Sequence, residues 1–140
     1  MKFSNHDTIV GFIAGKMQKL GFTIKYMEGN HSSVLIVKPE LPPAISTHRP
    51  DVFGITTTGI IAIGEAKMPS DFYTKRTKTQ MFDFVNLIRT DTRNLLILGT
   101  VEGCKDELRQ LLSSLGIQID HQIDIMEIPF QFLPVNAASR

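Results

Sequence analysis

Apolar residues recur along the chain with two spacings, one typical of helices and the other of strands. Residues 4–20 carry apolar side chains three or four positions apart, and Gly21 follows where a helix would end. Residues 22–28 alternate as a half-buried strand does. The same reasoning predicts the remaining elements: a second apolar run over 33–38, a proline-rich loop over 39–50, a hairpin over 49–67, a helix within 69–90, a buried strand over 94–101, a helix over 104–116, and late strands over 117–120 and 123–128.

This order of elements predicts an α/β fold, with a central mixed β-sheet flanked by helices. We expect a single domain over residues 1–140, with its core at about 4–128 and a loose tail over 129–140.

The hairpin, RPDVFGITTTGIIAIGEAK, is apolar except at its open ends. Strand alternation places Glu65 and Lys67 on one face of its second strand. The opposite face is small and suits a closely packed helix; it consists of Ile60, Ala62, Gly64 and Ala66.

The turn of the hairpin sets its register. A three-residue loop, Thr57-Thr58-Gly59, fits the common type that ends in a left-handed glycine. Counting outward from this loop places Asp51 opposite Glu65, with side chains about 5 Å apart at Cβ. A slip of one residue would instead place Val52 opposite Glu65.

Two carboxylates held this close repel each other, so a positive charge should compensate them. One interpretation is a salt bridge from Lys67 to either acid at an ordinary sheet edge. The other is a divalent cation, because hard oxygen ligands at this spacing suit Mg²⁺.

Composition narrows the function only slightly. The formal net charge of +1 argues against a strongly basic protein that coats nucleic acid, although a local basic patch is compatible with it. The single cysteine, Cys104, permits no disulfide within the chain, and the four histidines show no zinc-site spacing. With no signal-peptide pattern and no membrane-spanning run, we expect a cytoplasmic protein.

Pro50-Asp51 followed by Glu65-Ala66-Lys67 at the end of an apolar strand resembles the signature of the PD-(D/E)XK nuclease superfamily. The surrounding order of elements is similar as well, over roughly residues 4–101. The resemblance implies a restriction-endonuclease-like fold and Mg²⁺-dependent hydrolysis of phosphodiester bonds in DNA, with Mn²⁺ as a possible substitute. It implies that Asp51, Glu65 and the carbonyl of Ala66 bind the metal ion, and that Lys67 assists the attacking water.

The resemblance extends to the neighbouring helices. Gln80 matches a glutamine that many members carry close to the site; the alternative is a half-exposed polar residue of the helix. Asp7 is a candidate for the metal ligand that other members place on the first helix. The alternative for Asp7 is a capping box with Ser4. Glu28, at a strand end, is a weaker candidate ligand.

Four basic residues are candidates for phosphate contacts around this site: Arg49, Lys75, Arg76 and Lys78. DNA is the expected partner, and small members of the superfamily commonly act as homodimers. The alternative function is a module that keeps the fold but only binds nucleic acid or another protein.

Overall fold

The computed structural model describes residues 4–28 and 48–134, which form one five-stranded sheet with helices on both faces. Its helices and strands are, in chain order, α1 (Asn5–Lys19), β1 (Thr23–Met27), β2 (Val52–Ile55), β3 (Ile61–Ala66), α2 (Lys75–Ile88), β4 (Leu95–Val101), α3 (Lys105–Ser114) and β5 (Ile123–Ile128). The strands lie side by side in chain order; β1, β2 and β3 are antiparallel, whereas β3, β4 and β5 are parallel. The predicted α/β fold with a mixed sheet is therefore confirmed.

Helix α1 packs closely against one face of the sheet because the central strands carry glycine there. A Cβ atom built on Gly64 would lie 2.5 Å from Cγ2 of Ile13, and one on Gly99 would lie 2.6 Å from Cγ2 of Ile9. Helix α1 therefore packs on the small face that was predicted for the second hairpin strand.

Helices α2 and α3 cover the opposite face. The apolar stripe predicted for α2 is buried there, and α3 adds three leucines beneath the last strands. The stripe and the leucines consist of Met81, Phe84, Val85, Ile88, Leu108, Leu111 and Leu112. Because α2 begins beside the end of β3, its first turns lie next to the charged end of the hairpin.

The hairpin has the predicted turn and register. Gly59 adopts φ +88°, and the Thr56 N–H donates to the Ile60 carbonyl at 2.9 Å. Val52 pairs with Gly64, so the next residues outward are Asp51 and Glu65.

Two segments differ from the expectation. Residues 117–120 form no strand, because the Ile117 N–H closes the end of α3 on the Leu112 carbonyl and the Asp120 carboxylate accepts hydrogen bonds from Arg89. The start of the predicted loose tail is packed: a 3₁₀ turn covers Phe130–Phe132, and Leu133 is buried in the core beside α1. The apolar run at 33–38 lies outside the described residues, as do residues 135–140.

Within the described part of the chain, no helix is both long and apolar enough to cross a membrane.

The close approach of α1 gives a prediction about stability. Gly64→Ala should lower the free energy of unfolding by about 1–3 kcal/mol, since overpacking a filled interface costs this much. Gly15→Ala, on α1 itself, is the matched control, because a Cβ atom on Gly15 would meet no atom within 4 Å. The control should gain roughly 0.5–1 kcal/mol, because alanine favours helix over glycine. Urea unfolding measures both, and a Gly64→Ala protein as stable as the wild type would contradict the packing described.

Candidate active site

The ends of three neighbouring strands bring acidic residues together at one end of the sheet. Asp51 precedes β2 and faces Glu65 of β3, as the turn predicted. Met27 pairs with Val52, so Glu28 comes next to Asp51 on the other side, and its N–H donates to the Asp51 carbonyl at 2.7 Å. The result is a row of three carboxylates across β1, β2 and β3.

Asp51 and Glu65 each accept a hydrogen bond from the backbone beside the other. The Asp51 N–H donates to Oε1 of Glu65 at 2.8 Å, and the Ala66 N–H donates to Oδ2 of Asp51 at 2.9 Å. Both side chains are buried, with Asp51 5% and Glu65 2% exposed. Two backbone amides therefore hold two buried carboxyl groups side by side.

Lys67 lies against this pair and is held by α2. Its Nζ atom donates to Oε1 of Gln80 at 2.5 Å and lies 3.5 Å from Oε2 of Glu65. Lys67 is 7% exposed and Gln80 3% exposed. Gln80 is thus buried and directed at the lysine, which excludes the alternative of a half-exposed helix residue.

His6 also belongs to the site, although the sequence pattern did not indicate it. Its Nε2 atom lies 3.2 Å from Oδ2 of Asp51, and it stands in the first turn of α1. The hydrogen bond to Asp51 raises the pKa of His6, against the opposing influence of its partial burial. The only signal in the sequence was its place beside Asp7, on the helix expected to approach the site.

The pKa values show that ionising all three acids of this row is unfavourable. Burial raises the pKa of Glu65 to about 8, and the charge of Asp51 adds to this shift. The pKa of Glu28 is raised to about 7, mainly by a hydrogen bond with Asp51 and next by partial burial. Burial opposes ionisation of Asp51, but its hydrogen bonds with His6, Glu28 and the Ala66 N–H outweigh burial and lower its pKa.

Asp7 serves the helix cap. Its N–H donates to Oγ of Ser4 at 3.0 Å and its Oδ2 accepts from the Ser4 N–H at 3.4 Å, which confirms the capping box. A metal-binding role for Asp7 stays a prediction. Among residues 4–28 and 48–134, no group of three or more His, Cys, Asp or Glu side chains is arranged to hold a metal ion. An ion here would therefore depend on the Asp51–Glu65 pair, the predicted carbonyl of Ala66 and water.

The four candidate phosphate-binding residues are exposed around the site: Arg49, Lys75, Arg76 and Lys78. The last three occupy the first turn of α2, which Thr74 caps by accepting the Thr77 N–H at 3.2 Å. His48, just before Arg49, contacts Oδ2 of Asp83 on α2 at 2.8 Å. This contact joins the chain that leads into Asp51 to the helix that carries Gln80.

Comparison with known proteins gives structural likeness at low sequence identity. A repair endonuclease from Pyrococcus abyssi has a TM-score of 0.45 and 15% identity, over 92% of this chain and 49% of that one. EndoMS in complex with double-stranded DNA has the same score and identity, over 91% of this chain and 46% of that one. The chain thus spans about half the length of each. No protein-family model matches the sequence, and no curated protein is significantly similar to it.

The raised pKa of Glu65 predicts how stability depends on pH in the presence of a chelator. Below the ordinary glutamate pKa of 4.5, the folded and unfolded states both keep this proton. As the pH rises from there to about 8, the unfolded chain ionises first, so the stability that Glu65 contributes is lost. Glu65→Gln should remove this loss, and the variant should melt above the wild type at pH 8 but not at pH 4.5.

Thermal melting in EDTA across this pH range measures the effect. Glu107→Gln on α3 is the control for removing one carboxylate outside this row of acids. Parallel pH curves for wild type and Glu65→Gln would contradict a raised pKa at Glu65.

Proposed function

We propose that the protein is a nuclease that depends on a divalent metal ion and hydrolyses phosphodiester bonds in DNA. One observation carries the proposal: Asp51, Glu65, Lys67 and Gln80 form a single buried hydrogen-bonded cluster at one end of the sheet. A structural salt bridge would need one acid and one lysine. This cluster adds a second acid and a glutamine that holds the lysine. Burial, and after it the charge of Asp51, raises the pKa of Glu65.

The donor atoms suit Mg²⁺, with Mn²⁺ as a substitute. Mg²⁺ is commonly bound through one or two carboxylates, with water and substrate phosphate completing its ligands. Asp51 and Glu65 supply two carboxylates, and the carbonyl of Ala66 is the third proposed ligand. When bound, such an ion supplies a more acidic water and neutralises charge that develops on the phosphate.

Lys67 is the residue that we propose assists the attacking water. Its ammonium group is fixed between Gln80 and Glu65, so it brings a point charge to the side of the carboxylate pair that faces α2. Gln80 accepts from Nζ and thereby keeps the lysine pointed at the site. A preorganised charge of this kind lowers the barrier because it needs no rearrangement during the reaction.

The exposed cations around the site are proposed to bind the DNA backbone. Lys75, Arg76 and Lys78 place positive charge on the first turn of α2, where the helix dipole disfavours it, so a bound phosphate would compensate. Arg49 would add a contact on the β2 side. Each phosphate contact removed should reduce the slope of log affinity against log salt by about 1, which binding titrations measure.

A homodimer is a further proposal, and the molar mass in solution tests it.

Cleavage assays test the proposed activity. Wild-type protein with Mg²⁺ or Mn²⁺ should cut at least one member of a panel of single-stranded, duplex and branched DNA. Lys67→Ala should lose roughly 10²–10⁴ in turnover, the range for a positioned acid–base group. Metal affinity should survive in this variant, because both carboxylates remain.

Lys19→Ala, at the exposed end of α1, is the matched control and should cut as the wild type does. Full activity in Lys67→Ala would remove the lysine from the mechanism. Binding of DNA without cleavage of any substrate would favour the alternative of a binding module.

A further inference from the structure

The oxygen atoms of Asp51 differ in how many hydrogen bonds they already accept. Oδ2 accepts the Ala66 N–H at 2.9 Å and lies 3.2 Å from Nε2 of His6. His6 can donate through Nε2 either as the neutral tautomer protonated there or as the imidazolium, so this contact does not depend on its charge. A carboxylate oxygen has about two lone-pair positions, and both positions of Oδ2 are used.

Glu65 shows a similar division between its two oxygens. Oε1 accepts the Asp51 N–H at 2.8 Å, whereas Oε2 faces Nζ of Lys67 at the longer distance of 3.5 Å. Each acid of the pair therefore has one oxygen committed to a backbone amide. Asp51 also shares a hydrogen bond with the Glu28 side chain, which a bound ion would replace. The oxygen of each acid that lies outside the backbone hydrogen bond is the one that can bind a cation.

Sites with two metal ions hold them about 3.5–4 Å apart. A carboxylate that bridges such a pair must give one oxygen to each ion. Asp51 cannot do so while Oδ2 accepts from Ala66 and His6. Of the other nearby acids, Asp7 is engaged in the cap of α1, and Glu28 is hydrogen-bonded with Asp51 itself.

We infer that His6 is a positioning residue for Asp51, and that it restricts the centre to one divalent ion per chain. The inference rests on the proposed metal-dependent function and goes further, because it assigns a role to a histidine outside the motif and fixes the number of ions. His6 holds the Asp51 carboxylate in an orientation in which Oδ2 takes both of these hydrogen bonds and the other oxygen takes neither. Loss of such an outer partner typically costs 10–100-fold in metal affinity.

The number of ions is measured by titrating the full chain with Mn²⁺ and counting free Mn²⁺ by electron paramagnetic resonance. We expect one bound Mn²⁺ per chain at saturation. Two ions bound with comparable affinity would overturn the inference and leave the proposed nuclease standing. If no Mn²⁺ binds at millimolar concentration, the metal centre and the inference both fail.

The role of His6 is tested with three variants in the same titration. His6→Ala should bind Mn²⁺ about 10–100-fold more weakly. His6→Gln places an amide donor where Nε2 was and should stay within a few-fold of the wild type. His121→Ala removes an exposed histidine at the opposite end of the sheet and should change nothing.

Melting in EDTA shows whether each variant is folded. Equal Mn²⁺ affinity in folded His6→Ala and wild type would overturn the positioning role. Equal losses in folded His6→Ala and His6→Gln would overturn it too, since the donor would then not matter.

Discussion

Asp51 and Glu65 are buried opposite each other, and each is held by a backbone N–H beside the other. Without those two hydrogen bonds, the mutual repulsion of the carboxylates and the loss of water would drive one side chain out toward solvent. Three surrounding side chains contact this pair or support a residue that does. His6 donates to one acid, Lys67 approaches the other, and Gln80 holds Lys67 in place. These contacts hold the acids in place, but the pKa values of Glu65 and Glu28 remain raised.

The sequence predicted the parts of this arrangement that depend on strand geometry. Alternation and the glycine at the turn determine the hairpin register, so residue spacing alone was enough to place Asp51 opposite Glu65. The small face of β3 likewise predicted a closely packed helix, and α1 occupies it. The capping box of α1, which was one of two interpretations of Asp7, is present in the structure.

Other features depend on long-range packing that spacing along the chain does not encode. His6 reaches Asp51 only because α1 crosses β3 and β4 at Gly64 and Gly99. The sequence could pair the acids but not show that the pKa of Glu65 is raised while that of Asp51 is lowered. Burial raises the pKa of Glu65, whereas at Asp51 the hydrogen bonds outweigh burial. Residues 117–120 were wrongly predicted as a strand, since an apolar residue that closes a helix has the same local pattern as one that starts a strand.

Proton release on Mg²⁺ binding is the most direct test of a divalent-ion site at the Asp51–Glu65 pair. With pKa values of about 8 for Glu65 and about 7 for Glu28, the site holds protons at pH 7 that an ion must displace. Titration calorimetry in buffers of different ionisation enthalpy should show about one proton or slightly more released per Mg²⁺ at pH 7. The release should fall toward zero at pH 9. Binding that releases no proton at pH 7, or no binding at either pH, would contradict a metal site at this pair of acids.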